Sequence, residues 1–276
     1  MSTAVHPTAV VSRSAELGDG VAVGPYCVVE AGAEIGAGTV LSAFVKVCGQ
    51  TAIGKNCRIH ENSVLGGDPQ DHNYRGEPSM ARVGDGCLIR ENVTVNRATG
   101  EGCETVVGNS CFIMEGVHIA HNVRIGEGVT IANKVGLSGF VTVDDHTVFG
   151  GMAGVHQFVR IGSYCMIGGM YRVTKDVPHY TLASGDPLRL VGLNSVGLRR
   201  AGFTPSVRRK ILSFYRELYG SGLFSRALEN AVKKRDSYCP EVQRILDFYG
   251  LSKRGVTFWS RAKEAREAKE KDSTED

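Results

Sequence analysis

An aliphatic residue returns every six positions from the start of the chain. Val5, Val11, Leu17, Val23, Val29, Ile35, Leu41, Val47, Ile53, Ile59 and Leu65 fill eleven consecutive slots. The same phase reappears at Val83, Ile89 and Val95, resumes at Val107 and runs to Val173, with Phe149 the one non-aliphatic member. A fixed short period marks a solenoid, and a period of six is that of a parallel β-helix. Each hexad supplies one short strand and a turn, and three hexads make a coil. The aliphatic side chain points inward and stacks on its copies above and below. A small or β-branched residue four places later also points inward, where room is limited. The 35 glycines and 7% aromatics fit a chain of many turns better than a helical bundle.

Cys27, Cys57, Cys87, Cys111 and Cys165 occupy the small inward slot, where thiols act as small hydrophobes. Cys48, Cys103 and Cys239 fall outside it, and no CxxC pair suggests zinc or a disulfide framework. Two segments interrupt the repeat: GGDPQDHNYRGEPSMA, residues 66–81, and RATGEGCET, residues 97–105. A long loop on a regular solenoid is a place to expect function. The hexads stop near residue 185. Thr204-Pro205 reads as an N-cap followed by a first-turn proline, opening a helix to about Tyr219, and Ser225 and Pro240 begin two more. The expected organisation is mainly β: a parallel β-helix over 1–185, a small helical C-terminal domain over 186–262, and a charged tail over 263–276.

Charge is uneven along the chain. Residues 1–185 carry 13 Lys and Arg against 17 Asp and Glu, whereas residues 186–262 carry 15 against 6. The basic segment suits a phosphate-bearing ligand or an acidic protein, or is simply a solvated helical surface. It lacks the interleaved aromatics of a nucleic-acid platform. No apolar run reaches spanning length and the N-terminus has no basic-then-apolar leader pattern, so a soluble cytoplasmic protein is expected.

In IMEGVHIAHNVRIG, residues 113–126, His118 and His121 flank the inward Ile119. Neither holds an inward position, so both belong on the outer face or at a corner of one coil. His156 follows inward Val155 and also points out. A histidine suits general-base work because its ordinary pKa is about 6.5. Gly139 lies 18 residues after His121, one coil away at the same corner, where its N–H could stabilise an oxyanion. Many corner glycines here serve the turn alone.

The ordered motifs GGDPQD, HIAHN, GGMAGVHQFVRIG, KDVPHYTLASGDP and GLNSVGLRRAGF closely resemble those of the UDP-N-acetylglucosamine O-acyltransferases, over about residues 4–260. The resemblance implies the left-handed winding, a homotrimer with sites between adjacent β-helices, and no cofactor. It implies transfer of a 3-hydroxyacyl chain from acyl carrier protein to the 3-position of UDP-N-acetylglucosamine or its 3-amino analogue, the first step of lipid A synthesis. By matching positions, His121 is implied as the base and Gly139 as the oxyanion donor. Asp71 would contact the sugar, and His118, His156 and Gln157 are further active-site positions. Gly169 would leave the acyl groove open for a longer chain. Asn194 and Arg200 would hold the nucleotide, the latter through its forked donors.

Several positions depart from the family pattern. Asn73 stands where a substrate-binding lysine is common, and Phe140 where a histidine is. Asn122 replaces an aspartate beside the base. Val196 and Ala201 replace a glutamate and an arginine, and Arg172 replaces a small residue near the acyl groove. Two other classes fit the same solenoid. A γ-type carbonic anhydrase would hold zinc on three histidines, at wider spacing than HIAH. A binding-only protein would keep the sugar-nucleotide pocket without turnover.

Overall fold

The computed structural model describes residues 3–220 and 223–260; the expected tail at 263–276 lies outside them. The hexads build a left-handed parallel β-helix of triangular section. Its three faces are sheets of eleven, nine and eight strands, beginning at Ala4–Val5, Val10–Val11 and Glu16–Leu17. Most strands are two residues long, one pointing in and one out. Successive coils stay in register, as where Gly136 and Leu137 pair with Gly154 and Val155. Leu65 still pairs with Val95, and Val83 with Val107. The stacking is therefore preserved across both interruptions, and the extra residues are extruded as loops.

The inward column is closed to solvent: Leu65, Ile89, Ile113, Ile119, Ile131 and Leu137 are fully buried. Truncating one such side chain to alanine costs roughly 2–5 kcal/mol. The five slot cysteines are buried and free, as their phase predicts, and Cys48 is buried as well although it lies off the slot. Many corners need a left-handed backbone, including Asn122 (φ 58°), Phe140 (φ 61°) and Phe158 (φ 65°). Asparagine tolerates that conformation. For phenylalanine it costs about 1 kcal/mol or more, opposed here by stacking of the two rings, whose centroids lie 4.9 Å apart.

The solenoid ends differently from its expected stop. Thr181–Ser184 adds to the eleven-stranded face beside Met166–Ile167, and Arg189–Leu193 then pairs antiparallel to it. The expected boundary at 185/186 falls in the turn of this hairpin, which serves as the cap of the stack. Among the described residues four α-helices follow: α1 (Ser195–Arg200), α2 (Pro205–Gly220), α3 (Phe224–Lys233) and α4 (Pro240–Gly250). Thr204 Oγ1 accepts from Val207 N–H at 3.3 Å, the expected cap of α2. Among the described residues no helix is long and apolar enough to cross a membrane.

The seam between solenoid and helices depends on a neutral histidine. His179 is 3% exposed, and its Nδ1 accepts the Ser163 N–H at 2.7 Å. The Tyr215 hydroxyl donates to the His179 carbonyl at 2.7 Å, and the ring sits edge-on to Phe248 of α4. Burial first, then the cations of Arg244 and Arg160, pull its pKa down to about 3. An unfolded histidine titrates near 6.5, so the unfolded chain binds a proton that the fold rejects. This contribution is complete above about pH 6.5 and is lost toward pH 3, by up to about 1.4 kcal/mol per pH unit. Urea unfolding between pH 7 and 4.5 should show falling stability, with a shallower slope in His179→Gln. Equal slopes in the two proteins would contradict this assignment.

Candidate active site

The register places His121, Gly139 and Gln157 on one corner, between the nine- and eight-stranded faces. The fit there is close. A Cβ built on Gly139 would lie 2.6 Å from Cε1 and Nε2 of His121 and 3.1 Å from Gln157 Nε2. A side chain here would therefore have to displace the imidazole, and since the glycine's φ is not in the left-handed region the constraint is one of space alone. Its N–H makes no hydrogen bond to any described residue. Other corners share that free N–H, but this one stands beside an imidazole.

His121 is only 4% exposed, more enclosed than an outward corner position suggests. The cover comes from the two extruded loops and from Phe140, whose ring meets the imidazole edge-on at 5.3 Å. Asn122 fixes the ring's chemistry. Its amide donates to Thr99 O at 3.0 Å, which identifies the other atom as oxygen. That Oδ1 accepts the Thr99 N–H at 3.0 Å and lies 2.9 Å from His121 Nδ1. Facing an acceptor, a neutral His121 carries its proton on Nδ1, which leaves the Nε2 lone pair toward Gly139 and Asp71.

Asp71 Oδ2 lies 4.0 Å from His121 Nε2, with its side chain 16% exposed. The Asn73 N–H donates to Asp71 Oδ1 at 2.9 Å and holds the carboxyl below its usual range. Asn73 also donates to Asp71 through its side chain, so its amide shapes the loop. His118 lies on the strand leading into this corner, with Nδ1 2.7 Å from Thr94 Oγ1 of the preceding coil. Burial first, then neighbouring His121, lowers its pKa.

From His118 an outward column runs across the nine-stranded face through Gly136 and Gly154 to Arg172. Nothing lies within 4 Å of a Cβ built on either glycine. The two glycines floor a groove of about 640 Å³ that also touches Gln70, Ser138, His156 and Gln157. Arg172 is the last outward residue of the column. Gly169 lies away from this groove, at the other edge of the same face, against Gly151. Asn194 and Arg200 are also elsewhere. Asn194 caps α1, accepting from Gly197 N–H and donating to Tyr164 O at 3.0 Å each, and Arg200 is exposed at the end of that helix.

Among the described residues, the one set of His, Cys or carboxylate groups close enough to share a metal ion is His60, Glu61 and Glu91. It sits on a different corner, and Arg90 already pairs with Glu91 at 2.9 Å. His118, His121 and His156 do not converge in this way. Sequence reasoning overlooked Thr94 and Ser138, and it treated Arg97 only as the start of a protrusion.

The chain matches the family profile described as Udp N-acetylglucosamine O-acyltransferase, domain 2, over residues 176–257. The bacterial transferase hexapeptide (six repeats) profile matches residues 14–49, 32–67 and 104–139. It is 43% identical over 250 residues to an acyl-[acyl-carrier-protein]--UDP-N-acetylglucosamine O-acyltransferase of Sinorhizobium fredii, covering 90% of this chain and 92% of the relative. A protein of that name from Synechocystis is 41% identical, with 90% of each chain covered. Among solved structures, the Francisella novicida UDP-N-acetylglucosamine acyltransferase superposes with TM-score 0.90 at 35% identity, over 94% of this chain and 96% of that one. The Bacteroides fragilis counterpart gives 0.87 at 37%, over 91% and 98%.

Replacing Gly139 by alanine should leave the coil folded but push the His121 ring aside. The ¹⁵N shifts of labelled histidine should report Nδ1-protonated His121 in the parent and a changed signal in Gly139→Ala. An unchanged spectrum, or a parent protonated on Nε2, would contradict the geometry.

Proposed function

The chain belongs to the UDP-N-acetylglucosamine O-acyltransferase family, and from that premise we propose how its own residues carry out the reaction. The enzyme transfers a 3-hydroxyacyl chain from acyl carrier protein to the 3-position of UDP-N-acetylglucosamine, the first step of lipid A synthesis. The observation that carries the residue assignment is the stacking of the His121 ring against Gly139, with the Nε2 lone pair and an unpaired N–H side by side.

His121 Nε2 takes the proton from the acceptor's 3-hydroxyl as its oxygen attacks the thioester carbonyl. The carbonyl oxygen becomes an oxyanion and receives the Gly139 N–H. As the tetrahedral intermediate collapses, the carbon–sulfur bond breaks and the proton on Nε2 passes to the departing thiolate. Asn122 holds the Nδ1–H through both stages, supplying orientation without charge. Asp71 lies on the Nε2 side, where it orients the acceptor and offers a carboxylate 4.0 Å from the nitrogen that becomes protonated. His118 stays neutral beside the base and donates or accepts according to the hydroxyl it meets. The glycine-floored groove receives the extended donor. Arg172 stands at the end of it, so the open groove implied by Gly169 is narrowed by a different residue.

Asn194, Arg200 and Gly169 lie apart from His121 within one chain. A homotrimer with sites between neighbouring solenoids would bring such separated edges together, and the basic helical domain suits an acidic carrier protein. The family's reaction lies at the start of a soluble nucleotide-sugar route, which supports a cytoplasmic location.

His121→Ala should fold normally and lose about 10²–10⁴-fold in turnover, the range of a general base. Turnover within a few-fold of the parent would remove His121 from that role.

A further inference from the structure

We infer that Arg97 is a positioning residue: it clamps the loop bearing Asp71 onto the corner that holds the base, and so sets the fit of the acceptor. The inference rests on the acyl-transfer reading only for the identity of that acceptor. The clamp itself is visible in the contacts. Arg97 follows the strand Thr94–Asn96 and starts the second extruded loop. Its side chain is 19% exposed, which is low for an arginine on a loop. One guanidinium nitrogen, Nη2, reaches Asp68 Oδ1 at 2.6 Å and the Tyr74 hydroxyl at 2.6 Å. The guanidinium also lies over the Tyr74 ring, 5.5 Å from its centroid. Asp68 and Tyr74 stand on either side of Asp71 in sequence, so one side chain grips both shoulders of the loop that presents the carboxylate.

Two residues later the same segment grips the base. The N–H and the carbonyl of Thr99 are both held by the Asn122 side chain, and the Asn122 oxygen also faces His121 Nδ1. Residues 97–99 therefore form a bracket with two ends. One end seats the acceptor loop and the other orients the imidazole. A second seam runs alongside, where Gly100 N–H donates to Glu77 at 2.7 Å and Gly102 N–H donates to Pro78 O at 2.9 Å. Asp71 lies on the loop between the two residues that Arg97 holds, and its 4.0 Å approach to His121 depends on this loop-to-loop contact. A flexible loop would lower the fraction of molecules with Asp71 in place and would raise the acceptor concentration needed. Hydrogen bonds to a charged group are worth enough to move binding by about tenfold or more when lost.

The test uses the full-length enzyme with Arg97→Met, which keeps the aliphatic bulk, and Arg97→Lys, which keeps the charge without the fork. In steady-state assays Arg97→Met should raise KM for the UDP-sugar by about tenfold or more, with kcat and the carrier-thioester KM changed by less than about threefold. Arg97→Lys should recover part of the loss. A general structural defect would instead lower kcat and disturb both KM values together, and that pattern, or unchanged kinetics, would overturn the assignment. Limited trypsin cleavage at exposed Arg75 reads the same loop without turnover. It should be faster in Arg97→Met than in the parent, and equal rates would overturn the clamp. A parent enzyme without turnover would speak against the acyl-transfer reading, while the cleavage comparison would still decide the clamp.

Discussion

The in-register stacking of one aliphatic side chain on the next, every six residues, is the constraint on which the other features depend. Because each coil repeats its predecessor, residues one coil apart share a corner whatever their chemistry. The site uses this directly. His121, Gly139 and Gln157 come from three successive coils, and no turn or helix has to bring them together. The same stacking makes the outward face regular, so that glycine at 136 and again at 154 opens a continuous groove where other residues would form ridges.

A repeat of this kind cannot by itself surround a reactive group. Every corner of an ideal coil is exposed, and an exposed imidazole competes with water for its substrate. The two extruded loops supply the missing walls. They emerge where the register is kept, as Leu65 on Val95 and Val83 on Val107 show, so they add cover without disturbing the core. Their contacts reach the base through polar groups: Asp71 on one side of the ring, and Asn122 held by Thr99 on the other. Phe140 completes the enclosure with an apolar edge.

Much of this was legible in the sequence because it follows from phase. The inward ladder, the buried slot cysteines, the outward placement of His118 and the shared corner of His121 and Gly139 are all arithmetic on a period of six. Thr204-Pro205 likewise announced its helix through local cap chemistry. What could not be read depends on segments outside the repeat. The burial of His121 is set by loops whose paths no period encodes. Asn194 has a capping role because α1 starts at the end of a hairpin that carries no hexad signature. The hairpin itself was missed because Arg189–Leu193 runs antiparallel, so its inward residues fall out of phase. The separation of Gly169 from the groove also required the coil-by-coil map.

The central claim is that this solenoid corner performs acyl transfer to a UDP-sugar. The most direct measurement is a transfer assay with the purified protein, a panel of 3-hydroxyacyl carrier proteins, and UDP-N-acetylglucosamine beside its 3-amino analogue. The account predicts turnover with a carrier thioester and a UDP-N-acetylglucosamine-type acceptor, without added metal. Binding of the UDP-sugar with no transfer from any donor would contradict it, and would identify the corner as a recognition site that has lost its chemistry.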